Sequence, residues 1–228
     1  WRDNLLTDLF VFQNPNFEIN WTSKEIEQQN WNAEWEKNFH PILVGEKCMV
    51  RAPFHEAAEV DYDIVIEPKM SFGTGHHETT HMMLQHILDN DFEGKSVLDM
   101  GCGTGVLAIL AKKRGAGDVE AIDIDEWCFL NTQENIERNN CSDIKAYQGD
   151  SSLLEGKKFD VILANINRNI LLEDIPVYAN SLKKGGVLFL SGFYLEDLDA
   201  ISSKCNAYGL EFEKNLEKNN WVSAKYVN

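Results

Sequence analysis

The sequence predicts an α/β fold: a mostly parallel sheet with helices on both faces, finished by an antiparallel C-terminal hairpin. Three observations carry this. Short apolar runs alternate with helical patterns from Thr79 to Gly209, and strands separated by helices form parallel sheets. A glycine-rich turn joins the run "SVLDM" directly to a helix. The tail "LEFEKNLEKNNWVSAKYVN" reads instead as two strands joined by a short polar turn.

Along the chain, residues 1–29 read as fragments, "LLTDLFVF", "FEINW" and the polar "TSKEIEQQN", behind a first residue, Trp1, that is not methionine. They are expected to be the remnant of a longer N-terminal region, too few for an independent fold. Residues 30–55 are expected to form a connecting helix and short strands. "NAEWEKNF" places Trp31, Trp35 and Phe39 at four-residue spacing, a packing stripe on a short helix that stops before Pro41. "ILVGEKCMVRA" reads as two strands around a turn at Gly45.

Residues 56–228 are expected to form the main domain, beginning with the strand "YDIVIEP", stopped by Pro68. Thr80, Met83, Leu84 and Ile87 repeat at helical intervals, with Gly94 closing the segment. After "SVLDM" comes the helix "VLAILAKKRG", whose basic residues suit its C-terminal dipole and whose Gly115 suits its stop. "VEAIDID" is a strand, "EWCFLNTQENIERNN" a helix, "IKAYQGD" a strand and "FDVILANI" a strongly apolar strand. Leu172, Ile175, Ala179 and Leu182 mark a helix kinked or restarted at Pro176 and ending at "KKGG", before the strand "VLFLSGF". "YLEDLDAISSKCNAYG" is the last helix.

Composition excludes several classes. No run of about eighteen apolar residues is present to cross a bilayer, and the first residues lack the basic start and apolar stretch of a signal peptide; a soluble cytoplasmic protein with no membrane partner is expected. Cys48, Cys102, Cys128, Cys141 and Cys205 are odd in number and scattered, which suggests neither a disulfide framework nor a thiolate metal site. A net charge of −16 repels exposed phosphate backbone and favours a cationic partner, so no direct nucleic-acid contact is expected.

In "VLDMGCGTG" an apolar strand runs into Gly101-Cys102-Gly103-Thr104-Gly105 and a helix begins at once. Glycines let the backbone turn tightly and let a ligand approach without meeting a side chain, while the helix start offers free N–H donors. The dinucleotide fingerprint G-x-G-x-x-G would need glycine where Val106 stands, which weakens a nicotinamide reading. Asp123, at the end of the next strand, is placed to accept ribose hydroxyls, and Asp125 to cap the following helix.

His77-Glu78-Thr79-Thr80-His81 satisfies the H-E-x-x-H pattern of zinc peptidases. On one helix face the two histidines could ligate zinc with Glu78 as base. A third ligand is missing, because the chain enters the "SVLDM" strand where a second ligand helix would be needed. No metal is expected.

The pattern D-x-G-x-G-x-G followed by an acid resembles class I S-adenosylmethionine-dependent methyltransferases, whose Rossmann-like sheet ends in a reversed hairpin strand. That resemblance implies S-adenosyl-L-methionine as cofactor. Gly101 and Gly103 would face its methionine part, Asp99 would orient the loop, and Asp123 would hold the ribose. Asp150, ending "YQGD", would lie near the adenine, an ordinary turn aspartate being the alternative. "EPKMSFGTGHHETT", "WEKNFHPILVG", "VLDMGCGTGVLAI", "AIDID" and "ILANI" together resemble the ribosomal protein L11 methyltransferase (PrmA) family over roughly residues 30 to 228.

The family resemblance implies protein N-methylation, from the cofactor to lysine side-chain and N-terminal amines of a basic large-subunit ribosomal protein, by a monomer. Thr80 would touch the cofactor alongside Asn165, Thr79 would border the target amine, and Phe72 would wall the pocket. Asn165 ends "FDVILAN" where amino-methylating relatives carry Asn or Asp before an apolar pair; here Ile166 is apolar and Asn167 is not. The Asn165 side-chain carbonyl and the Ile166 backbone carbonyl would accept amine hydrogens. The family's N-terminal recruiting domain is expected to be represented in residues 1–29 only by a remnant. A nucleobase or small-molecule amine as acceptor, and a cofactor-binding module without catalysis, are the alternatives.

Overall fold

The computed structural model describes residues 39–69 and 71–228, with positions 14–16, 18, 20 and 22 before them. The fragments ahead of residue 30 and the helix expected from Trp31 and Trp35 therefore lie outside the described residues, apart from those isolated positions. The chain divides into two compact units, Trp1–Phe39 and His40–Asn228, and the elements below all belong to the second.

β1 (Ile42–Val44) and β2 (Cys48–Arg51) form the expected hairpin, turning at Gly45 with φ +58°, and β3 (Tyr62–Val65) joins β2 in parallel to complete a small sheet. α1 (Glu78–Asp89) leads into the main sheet. Its C-terminus comes earlier than Gly94, because the Asn90 amide donates to the His86 carbonyl and closes the helix itself; Gly94, at φ +67°, turns the loop beyond.

The main sheet then follows the expected alternation. β4 (Val97–Met100), α2 (Val106–Lys113), β5 (Val119–Asp123), α3 (Glu126–Arg138), β6 (Lys145–Gln148) and β7 (Phe159–Asn165) are followed by α4 (Arg168–Ser181), β8 (Leu182–Tyr194), α5 (Leu198–Ala207), β9 (Glu211–Lys218) and β10 (Trp221–Val227). The strand order is β6-β5-β4-β7-β8-β10-β9, parallel except where β10 pairs antiparallel with both β8 and β9. The reversed C-terminal hairpin expected from the tail is present.

Period-two alternation distributes the core between the two faces. Val97 of β4 with Val161 and Leu163 of β7 packs in a cluster with α1, α2 and α3, through Met83, Leu84, Ile87, Leu110 and Ile136. Leu98 and Met100, with Ile162 and Ala164, belong to a second cluster with α4 and α5, through Leu171, Ile175, Tyr178 and Ile201. Helices thus cover both faces.

Two further boundaries differ from the sequence expectation. α4 begins at Arg168, where the Asn167 side chain accepts from Ile170 N–H at 3.3 Å, and continues through Pro176 as one element. "KKGG" lies within the long β8 rather than before it, because Gly185 N–H and the Gly186 carbonyl both bond to the backbone of Asn228. Among the described residues no helix is long and apolar enough to cross a membrane.

Candidate active site

In a parallel sheet all strand ends of one kind share an edge, and ligands of open α/β folds sit at the carboxyl edge. The strand order therefore lays out a row: Asp150 beyond β6, Asp123 ending β5, Gly101 following β4, Asn165 ending β7 and Gly192 late in β8. Because β10 is reversed, its first residue, Trp221, stands at the same edge, paired with Tyr194. These residues line a cleft of about 1280 Å³, with Phe72, His77, Thr79, Gly103 and Ile166 also in its wall.

The glycine loop is held from three sides. Gly101 and Gly103 have φ of +70° and +56°, the left-handed region where a side chain is strained. A Cβ at Gly101 would overlap the Ile166 side chain, and one at Gly103 would overlap the Phe72 carbonyl. Phe72 reaches the loop because its carbonyl accepts Thr104 N–H at 2.9 Å, while its ring stays half exposed on the cleft. From α3, Thr132 donates to the Gly103 carbonyl at 3.0 Å and Asn135 to the Thr104 carbonyl at 2.9 Å.

Asp123 clasps the loop from the next strand. One carboxylate oxygen accepts Gly103 N–H at 2.8 Å and the other Asp125 N–H at 3.0 Å, and each keeps a second lone pair. Asp125 occupies the N-cap position of α3, yet its side chain makes no capping bond there, a correction to the expected role. Asp99 does not line the cleft. It is buried beneath the loop, where Oδ2 accepts Ala108 N–H at 3.0 Å and Oδ1 has no partner. Burial raises its carboxyl to about 7, the Ala108 N–H opposes this, and the neighbouring Asp123 adds to it. Asp150 is an exposed turn aspartate that accepts Ser152 N–H at 2.9 Å, at the far end of the same wall.

Asn165 occupies the middle of the row. Its Nδ2 donates to Thr80 Oγ1 at 3.3 Å, and its buried Oδ1 has no partner. Thr80, expected to touch the cofactor, lies off the cleft wall at 1% exposure and meets Asn165 instead. Thr79 does line the cleft, its hydroxyl 2.9 Å from His77 Nδ1. Ile166 threads between two glycines: its side chain lies over Gly101 and its carbonyl against Gly192, where a Cβ would overlap it.

The two histidines of H-E-x-x-H do not lie on one helix. His77 is the extended N-cap of α1, with ψ 142°, so it stands outside the helix that carries His81. Its Nδ1 accepts Thr79 N–H, and Glu78 accepts from Asn219 at 2.7 Å. Among the described residues the group whose ligand atoms converge, within 4.8 Å, is instead Asp123, Asp125 and Cys128. The His77 ring packs edge-on against Phe72 at 5.1 Å and Trp221 at 4.8 Å, and Trp221 stacks on Tyr194 at 4.0 Å. Sequence reasoning did not single out Trp221, Gly192 or Ile124 as cleft residues. A reversed final strand, which delivers its first residue to the carboxyl edge, is the signal that could have found Trp221.

Comparison with known proteins agrees with this geometry. The sequence model of the ribosomal protein L11 methyltransferase (PrmA) family matches residues 4–228. A ribosomal protein L11 methyltransferase from Bacteroides fragilis is 50% identical over 99% of this chain and 82% of its own length. One from Porphyromonas gingivalis is 50% identical over 90% of this chain and 72% of its own. Among solved structures, the ribosomal protein L11 methylase of Lactobacillus delbrueckii subsp. bulgaricus superposes with TM-score 0.75 at 27% identity, covering 82% of this chain and 97% of that one. A methyltransferase from Pyrococcus furiosus, 19% identical with TM-score 0.58 over 72% of this chain and 88% of its own, shares the fold. With the glycine loop, its clasping acid and the amide at the end of β7 in one cleft, and with these matches along almost its whole length, the chain belongs to the ribosomal protein L11 methyltransferase (PrmA) family.

Proposed function

We propose that this methyltransferase moves methyl groups from S-adenosylmethionine to amines of ribosomal protein L11, namely lysine side chains and the N-terminal amine. The observation that carries the reading is Asn165: a half-buried amide whose Oδ1 is buried without a partner, in a cleft with Gly101 and Gly103 on one flank and an aromatic wall on the other. An unpaired buried carbonyl costs about 1–3 kcal/mol, and an amine hydrogen offered by an acceptor would relieve that cost.

The residues present suit the cofactor. Gly101 and Gly103 leave backbone open to its methionine part, and each Asp123 oxygen retains a lone pair for a ribose hydroxyl. Phe72 and Ile124 offer apolar surface on the same wall. When bound there, the cofactor supplies an electrophilic methyl carbon on a cationic sulfur that leaves as a neutral thioether.

The chain's own part is to position and to desolvate. Asn165 Oδ1, together with the Ile166 carbonyl, accepts amine hydrogens and directs the remaining lone pair at the methyl group. Thr80 fixes the Asn165 amide by accepting from Nδ2. Only a neutral amine carries that lone pair, and a free lysine titrates near 10.4. Desolvation between Trp221, His77 and Phe72 lowers that value in the direction the reaction needs. No dedicated base is required, because the proton can leave from the methylated ammonium to solvent.

The test is intact-mass spectrometry of ribosomal protein L11 incubated with the enzyme and S-adenosylmethionine. Additions of whole methyl groups, mapped to lysines or the N-terminus by peptide analysis, are expected. An unmodified protein, with methyl label entering RNA or a metabolite fraction, overturns the reading.

A further inference from the structure

Within the H-E-x-x-H segment Glu78 has no part in the methyl-transfer steps, yet it and its neighbour His77 each make a specific long-range contact. Glu78 Oε1 accepts a hydrogen bond from Asn219 Nδ2 at 2.7 Å, between residues 141 positions apart. Asn219 is in the turn joining β9 to β10, where Asn219 and Asn220 both adopt left-handed backbone, φ 50° and 67°. Trp221 follows at once, and its ring meets Tyr194 on one side and His77 on the other. His77 is in turn locked as the α1 N-cap by Thr79. The turn has a second hold, the bond from Leu195 N–H to the Asn220 carbonyl at 2.9 Å. The Asn219 amide holds the Glu78 carboxyl below its ordinary range, so the bond is charge-assisted at neutral pH.

The row along the sheet edge says what this arrangement serves. Asp123 and the glycine loop lie to one side of Asn165; Gly192 and Trp221 lie to the other, on β8 and β10. Neighbouring strands are about 4.8 Å apart, so Trp221 stands roughly two strand spacings beyond Asn165, away from the side assigned to the cofactor. An aromatic face at that place suits an aliphatic side chain whose amine ends at Asn165.

We propose that Glu78 is a positioning residue: by holding Asn219 it sets the β9–β10 turn so that the Trp221 ring forms the wall against which the acceptor's aliphatic side chain lies. The inference rests on the methyl-transfer reading above and assigns Glu78 of the H-E-x-x-H segment to acceptor recognition.

Its test is steady-state kinetics with ribosomal protein L11 as acceptor, beside calorimetric titration of S-adenosylmethionine. Glu78→Ala and Asn219→Gly, the latter keeping the left-handed backbone, are each expected to raise the acceptor KM about 5- to 10-fold, as loss of one solvent-exposed hydrogen bond suggests. kcat is expected to stay within about twofold and cofactor Kd unchanged. Glu78→Gln, which keeps an acceptor oxygen, is expected to restore most of the acceptor KM, and the Glu78→Ala/Asn219→Gly double variant to be no worse than either single one. Trp221→Ala is expected to raise the same KM at least as far. Unchanged acceptor KM in both single variants, additive effects in the double variant, or equal impairment in Glu78→Gln and Glu78→Ala overturns the clasp while leaving the activity standing. Absence of transfer by the unsubstituted enzyme overturns both.

Discussion

Asn165 and Asp123 lie on neighbouring parts of one edge; the function proposed above gives them different tasks, and substitution should separate them. Asn165→Ala removes the unpaired Oδ1 and is expected to lower kcat about 100-fold or more, within the range for a lost preorganised polar contact, with little change in cofactor affinity. Asp123→Ala frees two backbone donors of the loop and is expected chiefly to weaken cofactor binding. Calorimetry beside single-turnover transfer would distinguish these, and the reverse pattern would refute both roles.

Asp99, in the floor beneath the glycine loop, makes a different prediction at the same scale. Its folded-state value of about 7 lies above the ordinary 3.8, so between those values the folded protein holds a proton that the unfolded chain has released. Stability from this group is therefore greatest at low pH and is lost as pH rises through that window. Asp99→Asn keeps a carbonyl for Ala108 N–H and cannot ionise. Urea unfolding should show the variant gaining on the natural protein by a few kcal/mol, in order of magnitude, between about pH 4.5 and 7.5. A difference that does not vary with pH would show that Asp99 is ionised in the fold.

At the scale of the element, α3 is the brace of the loop. Asn131, Asn135 and Asn139 recur at helical spacing and turn inward. Asn139 exchanges bonds with the backbone of Val65, and Asn135 accepts Glu67 N–H at 2.8 Å while donating to the Thr104 carbonyl at 2.9 Å. One helix face thereby supplies the backbone pairing that the end of β3 lacks, and ties that segment to the glycine loop. Asn135→Ala leaves two backbone groups without partners and is expected to destabilise the fold by about 2–4 kcal/mol. The exposed neighbour substitution Gln133→Ala should stay within about 0.5 kcal/mol. Chemical denaturation of the two variants checks the contrast.

For the whole molecule, legibility in the sequence divides along range. The order of strands and helices, the sharp turn after β4 and the reversed ending were readable because each rests on neighbours in sequence: an unbroken apolar run in "VILA", glycines at left-handed positions, and a polar turn between two runs of strand pattern. One boundary is a local reading outvoted by a distant partner. "KKGG" reads as a turn, and it is drawn into β8 by the backbone of Asn228. His77 and His81 have ligand spacing, and the extended N-cap takes His77 off the helix.

By itself the sequence determined that a glycine loop follows the first central strand, that an acid stands at the end of the next, and that an asparagine ends β7. These are properties of the backbone and of residues close in the chain. Tertiary structure alone decided that Asn165 keeps one amide oxygen unpaired while Thr80 takes the other end, that Asp99 sits below the loop rather than in the cleft, and that Glu78 meets Asn219. The physical reason is that a side chain's partner across a sheet is set by strand order and direction. Those follow from how all the apolar faces are buried together, and no window of local sequence contains them.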